Sequence, residues 1–207
     1  MQGNILHTKM RICLWDNYSN QLIDLQNKIN DGKKVIGPFQ LMALIDDPEL
    51  QSKASIIYAQ DKYPKNTLLP KMDHYPKHKK IRIGYFSADF RTHAMGHLMV
   101  KMLELHNRED FEIYGFYFGP KIKESDFLAK RIKNSFDKFF DITSKNDHEV
   151  ANLSKELGLD IAIDFMCFTG NHNRFGIFTQ RCAPIQINFL GYPGTSGSKF
   201  LDYIVLD

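Results

Sequence analysis

From residue 79 onward, the chain alternates short apolar runs with segments that have helical periodicity. KIRIGYFSADF and FEIYGFYFGP are typical of strands that are buried on both faces, and HLMVKMLELHN between them repeats its apolar residues at helical spacing. FDKFFDIT, DIAIDF, PIQINFL and DYIVLD predict four more strands. Strands that alternate with helices of about 10 to 15 residues form right-handed βαβ units. The pattern therefore predicts an α/β fold with a Rossmann-like parallel sheet, and it places in the core Leu98, Leu103, Ile113, Ile161, Ile163 and Ile187.

The first 78 residues have a different sequence pattern, which predicts helices and no strands. WDNYSNQLIDLQNKINDGK has helical spacing, and PFQLMALIDDPELQSKASIIYAQDKYP predicts two more helices, the second beginning after Asp47 with Pro48 at its first position. Residues 63–80 are rich in Lys and Pro, which is typical of a linker. We therefore predict a small all-helical segment over residues 1–78 and the Rossmann-like sheet over residues 79–207.

Composition excludes several classes of protein. The 207 residues are 43% hydrophobic and 25% charged, and 27 basic and 24 acidic side chains give a net charge of +3, which does not indicate a nucleic-acid partner. No stretch of about 18 apolar residues predicts a membrane span, and MQGNILHTKMRICLW lacks the apolar run of a signal peptide. Cys13, Cys167 and Cys182 are widely spaced, which predicts reduced thiols. These features predict a cytoplasmic protein with no membrane partner.

Two histidines lie where the first predicted strand gives way to a helix. Ligands of parallel sheets bind beyond the carboxyl ends of the strands, and the N–H groups of a helix N-terminus favour anions. A neutral imidazole at His93 or His97 is therefore suited to contact a phosphate or a sugar hydroxyl, or to accept a proton. The residues alone equally allow a packed histidine, above all at His97. A metal site is not predicted, because HExxH is absent and no third ligand is evident.

Two further polar loops follow predicted strands. Thr169 opens the loop TGNHNR after the fourth strand, and LGYPGTSG follows the fifth strand. Glycines allow a backbone to approach a ligand closely, although such loops are equally typical of tight turns. The second loop is neither GxGxxG nor a Walker loop. Three polar loops at one edge of one sheet predict a ligand site better than any single loop does.

Taken together, these blocks resemble the catalytic region of protein O-GlcNAc transferases, glycosyltransferase family 41. The family pattern is roughly R-I-G-Y-x-S-x-D-F, then a histidine-bearing helix start, then A-P-I/V-Q-x-x-x-L-G-Y-P-G-T-x-G. The pattern is matched here by residues 82–90, by His93 and His97, and by residues 183–197. Residues 15–64 are similar to the helical connector that follows the tetratricopeptide repeats of bacterial members, so the resemblance covers nearly the whole chain.

The resemblance implies a GT-B fold, in which two Rossmann-like halves enclose the active site. Family members transfer GlcNAc from UDP-GlcNAc to Ser or Thr hydroxyls of proteins, with inversion and without a bound metal, so no cofactor is expected. The chain ends on the last strand of the first half. We therefore expect a fragment that is inactive alone and whose partners are a UDP-sugar donor, acceptor proteins or peptides, and the missing C-terminal half.

The resemblance also implies roles for individual residues. His93 matches a histidine beside the sugar that acts as a base or as a sugar-orienting group, and Thr169 matches a threonine next to the donor. The expected substrate-binding residues are His97, Thr169, Leu190, Gly191, Tyr192 and Pro193. Cys167-Phe168 departs from the Gly-His or Gly-Tyr of many bacterial relatives. The alternatives are transfer of another hexose, transfer to Asn, and a non-catalytic repeat-protein scaffold.

Overall fold

A computed structural model describes residues 1–64, 77–170 and 172–206. The chain forms two compact units, a helical unit (Met1–Lys65 with Tyr192–Lys199) and a sheet unit (Asn66–Gly191 with Phe200–Asp207). Most of the Lys- and Pro-rich linker predicted over residues 63–80 lies outside the described residues. The predicted division of the chain after residue 78 stays a prediction.

The helical unit contains four helices, α1 (Gln2–Arg11), α2 (Tyr18–Asn30), α3 (Pro38–Met42) and α4 (Pro48–Lys62). Asp47 caps α4 as predicted, since its carboxylate accepts a hydrogen bond from Leu50 N and Pro48 follows it. No sequence pattern predicts α1, because polar residues interrupt its apolar spacing. The helices share a core that includes Leu25, Ile29 and Leu41. The predicted all-helical segment is confirmed.

The sheet unit contains a six-stranded parallel sheet in the order β3-β2-β1-β4-β5-β6. Its strands are β1 (Ile81–Ser87), β2 (Phe111–Tyr117), β3 (Lys138–Asp141), β4 (Ile161–Asp164), β5 (Ile185–Phe189) and β6 (Tyr203–Val205). Its helices are α5 (Ala94–Glu104), α6 (Phe127–Asn134), α7 (Asp147–Glu156) and α8 (Gly176–Thr179). The predicted Rossmann-like fold is confirmed. Among the described residues, no helix combines the length and the apolar character that a membrane span needs.

The core of the sheet unit differs from the sequence prediction at one position. Leu103 and Ile113 are fully buried as predicted, whereas Leu98 is 64% exposed. The prediction of Leu98 is wrong because α5 turns another face toward the sheet. That face carries Met95, Gly96, Met99, Val100 and Leu103. The remaining predicted core residues are only half-buried, namely Ile161, Ile163 and Ile187.

Candidate functional site at the carboxyl edge of the sheet

The sheet reverses its strand order at β1. The chain runs from β1 to β2 and β3 on one side, and from β4 to β5 and β6 on the other. In open parallel sheets, ligands bind beyond the carboxyl ends of the strands at such a point. His93 follows β1 and Thr169 follows β4, and these two strands pair directly. Leu190 and Gly191 follow β5, which is the next strand. These four predicted site residues therefore lie on loops of three adjacent strands.

His93 is the N-cap residue of α5. Its backbone is extended, and its Nδ1 atom accepts a hydrogen bond from the backbone N–H of Met95 at 3.3 Å. An imidazole thus takes the capping position in which Ser, Thr, Asp or Asn is usual. The side chain is 39% exposed. When Nδ1 accepts this bond, the neutral ring carries its proton on Nε2, which is then a donor.

Asp89 lies beside the same ring nitrogen. Its Oδ2 atom is 3.6 Å from His93 Nδ1, and its Oδ1 atom accepts a hydrogen bond from Arg91 Nη2 at 3.1 Å. The backbone N–H of Asp89 donates to Ser87 Oγ at 2.9 Å, and the residue is 8% exposed. A proton on Nδ1 has an acceptor in Asp89, and Nε2 is then free to accept a proton. Sequence reasoning did not single out Asp89, although it is the aspartate of the S-x-D-F block.

The loop that leads to His93 is held by the N-cap residue of α6. The backbone N–H and the hydroxyl of Thr92 donate to Asp126 at 2.9 and 2.8 Å, and Asp126 also accepts a hydrogen bond from Ala129 N at 2.9 Å. Burial works to raise the pKa of Asp126, but these hydrogen bonds outweigh it and lower the pKa. A Cβ atom on Gly96 would lie 2.3 Å from Arg91 O, so α5 begins in close contact with the loop.

His97 lies one turn along α5 from His93, and its side chain is exposed. Its backbone N–H donates to His93 O at 3.1 Å. Within the ranges that the structure describes, its ring makes no hydrogen bond or ion pair. The alternative of a packed histidine is therefore wrong for His97, and its role in substrate binding stays a prediction.

Thr169 closes a tight turn that begins at Asp164, the last residue of β4. The carboxylate of Asp164 is 1% exposed and accepts hydrogen bonds from the backbone N–H groups of Met166 at 2.9 Å and Cys167 at 3.0 Å. Burial raises the pKa of Asp164 to about 6, although the two hydrogen bonds lower it. Thr169 Oγ1 donates to Met166 O at 2.6 Å. Because its proton is used there, the hydroxyl oxygen can only accept a hydrogen bond from a ligand.

The two residues before Thr169, where the sequence departs from the family pattern, are buried. Cys167 has a φ of +45°, a left-handed conformation that glycine adopts without strain. Phe168 is buried, and its ring packs against Phe175 with centroids 5.2 Å apart. Burial raises the pKa of the Cys167 thiol, and the nearby charge of Asp164 raises it further. These two side chains therefore belong to the core of the sheet unit.

The turn after β5 brings two backbones into direct contact. A Cβ atom on Gly191 would lie 1.5 Å from Phe165 O, so no side chain fits there. The N–H of Gly191 donates to Phe189 O at 2.8 Å, which closes a three-residue turn around Leu190. Leu190 has a φ of +66° and is 40% exposed. Left-handed backbone is strained for leucine, and such strain is often retained at ligand sites.

The segment Tyr192–Lys199 belongs to the helical unit. Tyr192 is buried, and its ring centroid lies 6.4 Å from that of Phe39. A Cβ atom would lie 2.9 Å from Met42 Sδ if added to Gly194, and 2.5 Å from Ile56 N if added to Gly197. Both glycines thus allow close packing on α3 and α4.

Pro193 is exposed in the same segment. Because Tyr192 and Pro193 belong to the helical unit, whereas His93 and Thr169 belong to the sheet unit, the predicted roles of the first two beside a sugar stay predictions. Among residues 1–64, 77–170 and 172–206, no three or more His, Cys, Asp or Glu side chains form a group that could hold a metal ion.

Comparison with solved structures shows the same architecture in a glycosyltransferase. A mutant form of the O-GlcNAc transferase of Thermobaculum terrenum matches 98% of this chain and 38% of its own, with a TM-score of 0.71 and 25% sequence identity. The family model of glycosyltransferase family 41 matches residues 57–207. The chain therefore belongs to glycosyltransferase family 41, as its sequence motifs predicted.

Two curated relatives extend this comparison. The probable UDP-N-acetylglucosamine–peptide N-acetylglucosaminyltransferase SEC of Arabidopsis thaliana is 29% identical over 98% of this chain and 22% of its own length. The UDP-N-acetylglucosamine–peptide N-acetylglucosaminyltransferase of Caenorhabditis elegans is 34% identical over 62% of this chain and 11% of its own length. The chain thus matches less than a quarter of either relative.

Proposed function

We propose that the protein containing this chain transfers GlcNAc from UDP-GlcNAc to Ser or Thr hydroxyls of proteins, with inversion and without a metal or other cofactor. Membership of glycosyltransferase family 41 and the names of the relatives support this reaction. The observation that carries the proposal is the placement of His93. A partly exposed imidazole is fixed as a helix cap at the carboxyl end of β1, where the strand order reverses.

His93 has two chemically distinct ways to assist this transfer. The acceptor oxygen attacks the anomeric carbon while the bond from that carbon to UDP breaks, and the hydroxyl proton needs an acceptor. With its Nδ1–H directed to Asp89, His93 accepts this proton at Nε2 and acts as a general base. With Nδ1 bound to Met95 N–H, the Nε2–H group donates to a sugar or phosphate oxygen and orients the donor.

Other described residues support the donor side of the proposal. The Thr169 oxygen accepts a hydrogen bond from a sugar hydroxyl, and the tight turn at Leu190 and Gly191 borders the sugar. Inverting transfer also needs compensation of the charge of the departing diphosphate. The N-terminus of α5 supplies part of it.

The proposal extends to the rest of the protein. The chain matches 38% of the Thermobaculum terrenum enzyme, which supports a second Rossmann-like half that completes the active site. We include in the proposal an array of tetratricopeptide repeats before the helical unit. We also include a cytoplasmic location, which the free, buried thiols of Cys167 and Cys182 support.

Mass spectrometry of acceptors incubated with the full-length protein tests the reaction. Matched peptides that contain Ser and Thr, or Asn, are incubated with UDP-GlcNAc, UDP-glucose or UDP-galactose. We expect HexNAc on Ser or Thr with UDP-GlcNAc alone. Transfer of another hexose or modification of Asn would replace the proposal with that reaction. No transfer from any donor by a folded protein would favour the non-catalytic scaffold.

Substitution of His93 tests the observation that carries the proposal. His93→Ala should lower the transfer rate by about 10²-fold or more, the usual scale for an acid–base group. His148→Ala is the matched control, because His148 is an exposed helical histidine on α7. His97→Ala should have a smaller effect than His93→Ala. A wild-type rate in His93→Ala would make this histidine a structural cap only.

A further inference from the structure

A separate cavity of about 850 Å³ lies at the carboxyl ends of β2 and β3. It is formed by the loop after β2, by α6 and by the end of β3. Its apolar lining residues are Tyr117, Ile122, Ala129 and Phe139. The volume falls within the range of sites that bind small molecules or short peptide segments. The predicted residues His93 and Thr169 are not part of its lining.

Four lysines line this cavity, and we refer to it as the lysine cavity. Lys121 and Lys123 belong to the loop after β2, and Lys130 and Lys133 lie on one face of α6. All four side chains are exposed. Within the described part of the chain, none of their Nζ atoms has a hydrogen bond or an ion pair, although other lysines of the protein do. The cavity thus concentrates positive charge that the described residues leave unpaired.

The acidic side chains of the lining do not neutralise this charge. Glu124 and Asp141 also line the cavity, so four cations face two carboxylates. Asp141 already accepts hydrogen bonds from the backbone N–H of Thr143 at 3.0 Å and from its hydroxyl at 2.5 Å. Lys133 Nζ lies 5.6 Å from the ring centroid of Phe139, so one cation is held beside an apolar surface. The lining therefore combines apolar contacts with a positive potential.

The lysine cavity adjoins a smaller cavity that extends to the loop before His93. The smaller cavity measures about 370 Å³ and shares Lys121, Ile122 and Lys123 with the larger one. It extends to Arg91 and Thr92, and Thr92 directly precedes His93. Arg91 is paired with Asp89, so the unpaired charge stays with the lysines. The two cavities thus share the loop after β2, and together they extend along this edge of the sheet as far as Thr92.

We infer that the lysine cavity binds a carboxylate-rich segment of the acceptor polypeptide and so selects acceptors with acidic residues beside the modified Ser or Thr. The inference rests on the proposed function, because it assumes that the polypeptide is an acceptor. The acidic side chains pair with Lys121, Lys123, Lys130 and Lys133. Apolar side chains of the same segment contact Ile122 and Phe139.

The chemistry of the lining favours a carboxylate-rich peptide over a nucleic acid. Arginine forks are the preferred partners of phosphate groups, and this cavity has lysines alone as its unpaired cations. The net charge of +3 on the whole chain does not attract polyanions over a wide surface. Lysines separated by apolar side chains instead fit a polypeptide in which acidic and apolar residues alternate.

Fluorescence anisotropy tests this inference without any sugar transfer. The full-length protein is titrated into a labelled peptide that carries Asp and Glu around one Ser, into its Asn and Gln counterpart, and into a single-stranded oligonucleotide of equal charge. We expect the acidic peptide to bind most tightly and its affinity to fall as salt rises. Equal affinities for the acidic and neutral peptides, or tighter binding of the oligonucleotide, would overturn the inference.

Charge substitutions on α6 locate the binding. Lys130→Gln with Lys133→Gln should weaken binding of the acidic peptide by about tenfold at low salt, since two exposed charge pairs are lost. The matched control is Lys79→Gln with Lys145→Gln, which removes two exposed lysines outside both cavities. Lys130→Glu with Lys133→Glu should favour a Lys-rich peptide instead. If the α6 variants bind the acidic peptide as tightly as the control variant does, the peptide binds elsewhere and the inference is overturned.

The transfer assay separates the two proposals. If acidic peptides bind at the lysine cavity but receive no sugar from any UDP-sugar, then the proposed function fails and the cavity remains a peptide site. If acidic and neutral peptides receive GlcNAc with the same KM, the proposed function stands and the role of the cavity in acceptor selection is wrong. We expect the α6 substitutions to raise the KM for acidic acceptors and to leave kcat nearly unchanged.

Discussion

Asp89 Oδ2 lies 3.6 Å from His93 Nδ1, on the ring nitrogen that also accepts the N–H of Met95 at 3.3 Å. The two contacts compete, because Nδ1 is a donor toward Asp89 and an acceptor toward Met95. The protonation of Nδ1 therefore decides whether Nε2 accepts a proton or donates one. Because Asp89 favours a proton on Nδ1, substitution of Asp89 tests which of the two roles His93 has.

Asp89→Asn in the full-length protein keeps the shape of the side chain but removes its charge. If His93 is a general base, kcat should fall on the order of 10- to 100-fold with little change in the KM for UDP-GlcNAc, because the Nδ1–H tautomer loses its partner. Steady-state kinetics measures both constants. Asp110→Asn is the control, since Asp110 is exposed and accepts a hydrogen bond from Asn107. A kcat close to that of the wild type would assign His93 to donor orientation instead.

Thr169→Val removes the hydroxyl whose proton binds Met166 O. We expect the free energy of unfolding to fall by about 1 kcal/mol, the usual net contribution of one hydrogen bond. The KM for UDP-GlcNAc should rise by about tenfold, since one hydrogen bond to the donor is also lost. Thr169→Ser retains the hydroxyl and should restore donor binding. Wild-type KM in the Val variant would remove Thr169 from the donor site.

Gly191→Ala should destabilise the fold itself. Its Cβ atom would lie 1.5 Å from Phe165 O, and two backbones must separate to admit it, which should lower the free energy of unfolding by more than about 2 kcal/mol. Gly170→Ala is the control, because among the described residues a Cβ atom there meets Met166 Cε alone, at 3.9 Å. Its φ of +64° should account for about 1 kcal/mol. Urea denaturation compares them. Equal stabilities would show that the turn after β5 relaxes.

The buried carboxyl group of Asp164 makes stability depend on pH. Its pKa is about 6 in the folded protein and 3.8 without burial, so between these values the folded state holds the proton more strongly. The free energy of unfolding should therefore fall as pH rises from about 4 to about 6, by up to about 3 kcal/mol from this group.

Asp164→Asn isolates that contribution. The variant should be less stable at every pH, because the amide has one oxygen for the two N–H groups of Met166 and Cys167. Its free energy of unfolding should also fall less between pH 4 and pH 6 than that of the wild type, because the contribution of Asp164 is absent. Urea denaturation of both proteins across this range gives the difference, and parallel profiles would contradict the raised pKa.

Local sequence patterns by themselves determined the type and order of most elements. Strands were predicted from short apolar runs. The start of α4 was predicted from Asp47 and Pro48, and the start of α5 from the position of His93. Each of these signals spans only a few residues, because side-chain periodicity and helix capping depend on near neighbours. The family motifs depend on spacing along the chain, so they too were visible in the sequence. α1 was missed because its ten residues include only three large apolar side chains, Ile5, Leu6 and Met10.

The tertiary structure alone decided which of these residues meet. β1 and β4 pair although a large part of the chain separates them, and only that pairing sets the loops of His93 and Thr169 side by side. The contact of Gly191 with Phe165 likewise joins two loops.

The orientation of α5 over the sheet made Leu98 exposed, and the folding of α6 beside β3 assembled the lysine cavity. Each of these outcomes depends on packing between distant segments, which local periodicity does not encode.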